Sequence, residues 1–203
     1  MMVMMTMMMD YFILIEILIK IIMKKQKLEL RMYFLCMYNL SDIQKSIQSL
    51  HAVVEYQLKY GKDKEYQDWA KNHKTVIILN GGTSNKGTHS EYGEVKQLGS
   101  MEQHFQILKN NKIKCTAFYE PDLNHSMSAI AFLVDERVFN KKDYPDFVPT
   151  TIQKFGEDVF ASDHNQFDKE YEKFLINEKK NYVKLVGTNI SFLKEFLKQF
   201  KFA

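Results

Sequence analysis

The hydrophobic period changes once within the stretch from Met32 to Tyr60, and that change restricts the fold more than any other feature. Met32 to Tyr38 is a short apolar run, and Asn39-Leu40-Ser41-Asp42 reads as a turn. Ile43, Ile47, Leu50, Val54 and Leu58 then recur at spacings of four and three, the pattern of one buried helix face. A polar stripe of Gln44, Gln48, His51 and Glu55 runs beside it. Ser41 and Gln44 fit a capping box, which gives Gln44 a purely structural reading, and Gly61 stops the helix after Tyr60. A strand that feeds a helix aims the helix's first turn at whatever lies over the strand's carboxyl end. The strand-turn-helix is therefore the first candidate site.

The remaining elements follow in order. Trp69 lies in a polar stretch before Lys74 to Leu79, a second strand apolar and β-branched enough to be central. Asn80 to Gly99 holds five of the chain's eight glycines. A loop of that length in a compact domain usually carries a function or an insertion. It lacks the spacing of a nucleotide phosphate loop. As a flap over the site it would offer Lys86 and His89 to RNA or phosphate; as a flexible insertion it would offer nothing. Ser100 and Gln103 form a second capping box, and Met101, Phe105 and Leu108 the apolar face of its helix. Lys114 to Tyr119 is a third strand, Glu120 to Ser126 a turn, and Ser128 to Val134 a fourth strand. The expected fold is a small mixed α/β sheet, β-α-β-α-β-β, with helices packed on it and a helical extension behind. Asp122 and Ser128 fall at strand ends, where polar groups converge.

Residues 1–31 form a separate methionine-rich, apolar extension. Tyr11 to Met23 is broken by Glu16 and Lys20 and is short for a bilayer. It reads as an upstream stretch translated from a misassigned start, as an amphipathic helix on a membrane or partner, or as a short anchor. A membrane partner is not expected of the core. Residues 139–203 read as a linker with two of the three prolines, then helices marked by Phe167, Tyr171 and Phe174 and by Ile190, Leu193, Phe196, Leu197 and Phe200, the last capped by Asn189. A net charge of +3 is compatible with an anionic partner but low for a dedicated duplex-DNA binder. Cys36 and Cys115 lie in apolar runs and no Cys/His cluster occurs, so reduced thiols, a cytoplasmic setting and no metal site are expected.

Three strings between Met32 and Val138 carry a resemblance. Ile43-Gln-Lys-Ser-Ile-Gln48-Ser-Leu-His51-Ala52 resembles the helix start G-K-I-A-A-Q-x-x-H-A of the type 2 peptidyl-tRNA hydrolases. The tryptophan before the second strand fits, as do the acidic turn Glu120-Pro-Asp122 and the strand Ser128-Ala-Ile-Ala-Phe, comparable to the family's T-x-L-x-I. The resemblance covers residues 32–138, which it marks as the hydrolase-like domain. Two departures stand out. The family's catalytic lysine falls on Gln44, with Lys45 one residue on, about 100° around a helix. The family's threonine becomes Ser128.

The resemblance implies hydrolysis of the ester between a peptide and the tRNA 3′ end, with tRNA as partner and neither metal nor organic cofactor. Such chemistry needs an oriented water, a proton acceptor and an oxyanion donor. Asp122 would orient the water or act as base, Ser128 would hydrogen-bond substrate or water, and Lys45 would meet the oxyanion or the terminal phosphate. His51 would bind or relay protons, or else only join helix to sheet, and Asp122 would otherwise only form a turn. Gln44, Gln48, Lys86 and His89 would contact substrate. The alternative is a binding module of the same fold for RNA, a nucleotide or a protein, weakened as a catalyst by Gln44. A homodimer is admitted by either reading.

Overall fold

The computed structural model describes residues 28–85, 98–151 and 164–203. The methionine-rich start, Lys86 and His89 lie outside the described residues. The protein is a mixed α/β fold around a four-stranded sheet. β1 (Leu30–Met37) runs into α1 (Asp42–Tyr60). α2 (Lys64–Asp68) continues as a wide helical turn to His73 before β2 (Thr75–Gly82). α3 (Ser100–Asn110), β3 (Cys115–Glu120), a tight turn at Pro121–Leu123 and β4 (Ser126–Asp135) follow. α4 (Glu136–Phe139), α5 (His164–Val186) and α6 (Thr188–Leu197) complete the chain.

The strand order is β2-β1-β4-β3, with β1 parallel to β2 and antiparallel to β4, and β3 antiparallel to β4. β1 is central, and all of its residues but Arg31 are buried. Its side chains alternate between two cores, as a pleated strand requires. Tyr33, Leu35 and Met37 pack with Met101 and Leu108 of α3 and with Ile190, Leu193 and Phe196 of α6. Met32, Phe34 and Cys36 pack with Ala52 and Tyr56 of α1 and with Tyr66 and Trp69. Trp69 is thus a core residue, its indole N–H donating to the Thr75 carbonyl at 2.9 Å.

Three sequence expectations are corrected. The row Ile43, Ile47, Leu50, Val54 and Leu58 is not the buried face of α1; these side chains are 44–77% exposed. The helix buries Gln48, Ser49, Ala52 and Tyr56 instead. Small residues at 49 and 52 let it sit close to the sheet, where the Thr116 hydroxyl donates to the Ala52 carbonyl at 3.3 Å. Ser100 is the first residue of α3 rather than its cap; Gly99 takes the cap position without a side-chain bond. The Ser100 hydroxyl is used to bind strand β2, donating to the Gly81 carbonyl and accepting from the Thr83 N–H. Gly187 rather than Asn189 precedes the last helix, with φ +94°, a left-handed value that favours glycine.

The carboxyl-terminal region is tied to the core at two places. Lys194 of α6 is buried and donates to the Tyr144 and Pro145 carbonyls and to Asp146. Residues 201–203 run along the outer edge of β2, where Asn80 N–H donates to the Lys201 carbonyl and Ala203 N–H to the Ile78 carbonyl. That tail blunts an otherwise open sheet edge. Among the described residues no helix is long and apolar enough to cross a membrane.

Candidate functional site

The carboxyl ends of β1 and β2, the start of α1 and the β3–β4 turn share one end of the sheet. Ser41 caps α1: its hydroxyl accepts from Gln44 N–H at 3.3 Å, and the Gln44 side-chain oxygen accepts from Ser41 N–H at 2.9 Å. Gln44 is therefore spent on the cap, the structural reading its position allowed. Lys45 begins the inward side of the helix. Its side chain is 13% exposed, and its ammonium is 3.5 Å from the Asp42 carboxylate. Among the described residues no bond joins it to Asp122 or Ser128.

Gln48, one turn further, is where the polar groups meet. Its side-chain oxygen accepts from the Ser128 hydroxyl at 2.6 Å, and its amide donates to the Glu120 carboxylate at 2.5 Å. The other Glu120 oxygen accepts from Asp122 N–H at 3.4 Å. One line of hydrogen bonds thus connects β4, α1, β3 and the turn after β3. Gln48 is 7% exposed and Ser128 not at all, so the line lies mostly inside the protein. A buried polar line is tolerated only when each member is bonded, and then it fixes the geometry of its members.

A break in strand pairing aims Ser128 at Gln48. The β3–β4 register passes from Phe118↔Ala129 to Tyr119↔Met127, which leaves Ser128 with no residue opposite. Such a bulge re-aims a side chain. The turn beyond, Pro121 to His125, closes on Asn124 at φ 52° and His125 at φ 54°, both left-handed. It holds Asp122 at the rim with its carboxylate exposed; the contact to Glu120 is made by its backbone. His51 is also exposed and stacks on Phe118, the ring centres 4.5 Å apart. Beneath, the Cys36 thiol lies 3.3 Å from the Ser49 hydroxyl. Burial pushes that thiol up to about 11, against the opposing hydrogen bond from Ser49 and the charge of Lys45.

The glycine-rich loop is anchored beside this line. Ser84 donates to Glu102 at 2.5 Å and accepts from Met127 N–H at 2.8 Å, one residue from Ser128. Asn85 N–H donates to the same Glu102 carboxylate, and Gly99 N–H to the Asn85 side chain. Both stems of the loop are therefore clamped at the site's edge.

Of the residues expected from sequence, Gln48 and Ser128 are brought together, with the backbone of Asp122 one link away. Lys45 and His51 lie on α1 within one turn of Gln48, and Gln44 is turned to the cap. Glu120 and Glu102 were missed. Glu120 stood in the acidic turn, two residues along the strand from Phe118 and so on its face, which was the available signal. Among the described residues no group of three or more His, Cys, Asp and Glu side chains is placed to hold a metal ion. No protein-family model matches the chain. No curated protein matches it either.

Proposed function

We propose that this chain hydrolyses the ester between the peptide and the 3′ end of peptidyl-tRNA. One observation carries the reading. The three strings that resemble type 2 peptidyl-tRNA hydrolases supply Gln48, Glu120 and Ser128 to a single hydrogen-bonded line, although Gln48 lies 72 and 80 residues before the other two. In the reaction a water adds to the ester carbonyl, and the products are a peptide carboxylate and the tRNA 3′ hydroxyl. Asp122, exposed at the rim, takes the water's proton and returns it to the departing 3′ oxygen, and Glu120 supports the turn that carries it. Ser128 is enclosed and already donating, so it positions Gln48 rather than touching substrate. Lys45 supplies positive charge for the developing oxyanion or the terminal phosphate. Exposed His51, stacked on half-buried Phe118, gives the terminal base a surface.

The binding-module reading is favoured by Gln44, whose amide closes the helix cap where the family has its lysine. Release of peptide from peptidyl-tRNA separates the two, measured beside tRNA binding for the full chain, Lys45→Ala and Asp122→Ala. Hydrolysis by the parent chain, lowered about 10²-fold or more in each variant with binding of tRNA kept by Asp122→Ala, is the result expected of the hydrolase. Binding of tRNA without hydrolysis by the parent chain leaves the module.

A further inference from the structure

Helix α5 sorts its side chains by packing and by sign. Its inner side is tied to the segment before it. The Tyr171 hydroxyl donates to the Thr150 carbonyl at 2.8 Å, the Glu178 carboxylate accepts from Thr150 N–H at 3.1 Å, and the Tyr182 hydroxyl donates to the Pro145 carbonyl at 3.2 Å. Lys169, Lys173, Lys180 and Lys184 are all exposed. At ~100° per residue they fall within about 60° of arc on the side away from those bonds, in a stripe ~22 Å long. Asp168, Glu170, Glu172 and Glu178 lie to its flanks or behind it. None of the four lysines forms an ion pair among the described residues. The stripe ends beside a hollow of about 530 Å³ where α5 meets α6, with Lys180, Lys184, Gly187 and Thr188 in its lining.

A helix that needs only solubility mixes the two signs, because acid–base pairs one turn apart support it. Lys169 and Lys173, and again Lys180 and Lys184, repeat one sign at a spacing of four, which works against the helix. A partner of opposite charge relieves that repulsion. The length of the stripe suits a row of negative charges rather than a single anion. A helix lying on an anionic membrane buries an apolar face, and the one exposed large apolar side chain within this stripe is Ile176. A nucleic-acid backbone presents its charges in water, and ammoniums on long stems meet phosphates without reading bases. The net charge of +3 is low for a duplex-DNA binder, which leaves RNA.

We propose that Lys169, Lys173, Lys180 and Lys184 form a sequence-independent binding surface for the phosphate backbone of RNA, outside the candidate site. That the RNA is the body of a tRNA rests on the function proposed above.

Anisotropy of labelled, deacylated tRNA titrated with the full chain over a range of salt tests this without any hydrolysis. Lys169→Gln, Lys173→Gln, Lys180→Gln and Lys184→Gln together are expected to weaken binding at least about tenfold at low salt. They are also expected to reduce the slope of log K against log salt by about 2–4, since each phosphate contact contributes roughly 0.7–0.9. Arginine at the same four positions is expected to keep both. The charge-matched set Lys62→Gln, Lys64→Gln, Lys71→Gln and Lys142→Gln is expected to keep the slope. Bound tRNA is expected to protect the stripe, and not Lys62, Lys64 or Lys71, from acetylation in the unsubstituted chain, a readout that needs no variant to fold. The proposal is overturned by a chain that binds no tRNA, by a slope that the two glutamine sets lower equally, or by acetylation of the stripe that tRNA leaves unchanged. Stripe-dependent binding to phosphatidylserine vesicles that tRNA does not compete away also overturns it. Hydrolysis of peptidyl-tRNA by a chain whose stripe is indifferent removes this surface and keeps the proposed function. Stripe-dependent binding of tRNA without hydrolysis keeps the surface and removes that function.

Discussion

Gln48 uses both ends of its amide inside the protein, one on Ser128 and one on Glu120. Gln48→Leu keeps the bulk and removes both bonds. It leaves the enclosed Ser128 hydroxyl only the Phe118 carbonyl, 3.4 Å away. The expected cost is roughly 1–3 kcal/mol, read from the urea midpoint. Titration of the two thiols gives a second prediction at this scale. Burial raises Cys36 and Cys115 to about 11. Their folded values lie above the unfolded one, so the stability they contribute is complete below about pH 8.5 and is lost as pH rises toward 11. Replacing both by alanine is expected to flatten that alkaline decline in unfolding midpoint. Some of this was readable: the Ser41–Gln44 cap followed from S-x-x-Q, and buried thiols from apolar neighbours. The bond from Gln48 to Glu120 was not, because it joins residues brought near only by the sheet.

At the scale of elements, the strands and the length of α1 were legible because a change of period reports backbone geometry directly. The face that α1 turns inward was not. An apolar row says that something covers a face, and it does not say whether the cover is the protein's own sheet. Here Ser49 and Ala52 decide the matter by allowing close approach. A paired substitution checks the orientation. Ala52→Leu overfills a site with no exposure and is expected to cost about 1–3 kcal/mol. Leu50→Ser, measured at concentrations where the chain is monomeric, is expected to change stability by no more than about 0.5 kcal/mol. A sequence-based assignment of the core gives the reverse order. The bulge that turns Ser128 toward α1 was equally hidden, since Ser128-Ala-Ile-Ala reads as an ordinary strand end until β3 is laid beside it.

At the scale of the whole molecule, the carboxyl-terminal helices complete the core rather than decorate it. Ile190, Leu193 and Phe196 of α6 pack with Tyr33 and Leu35 of the central strand. A chain ending at residue 187 is therefore expected to lose cooperative unfolding, as seen by calorimetry beside the full chain. The helical character of this region was legible from its apolar spacing; its contacts with β1 and β4 were not, because nothing local to residues 188–197 names the surface they cover. The fold gathers the Gln-x-x-His-Ala helix, the acidic turn and the hydroxyl-bearing strand at one end of the sheet, and the account of function rests on that gathering. Single-turnover release of peptide from peptidyl-tRNA by the full chain, compared with Asp122→Ala, tests it most directly. The account predicts hydrolysis above background that falls about 10²-fold or more in the variant while the fold and tRNA binding persist. Hydrolysis equal in the two proteins, or none in either, would contradict it.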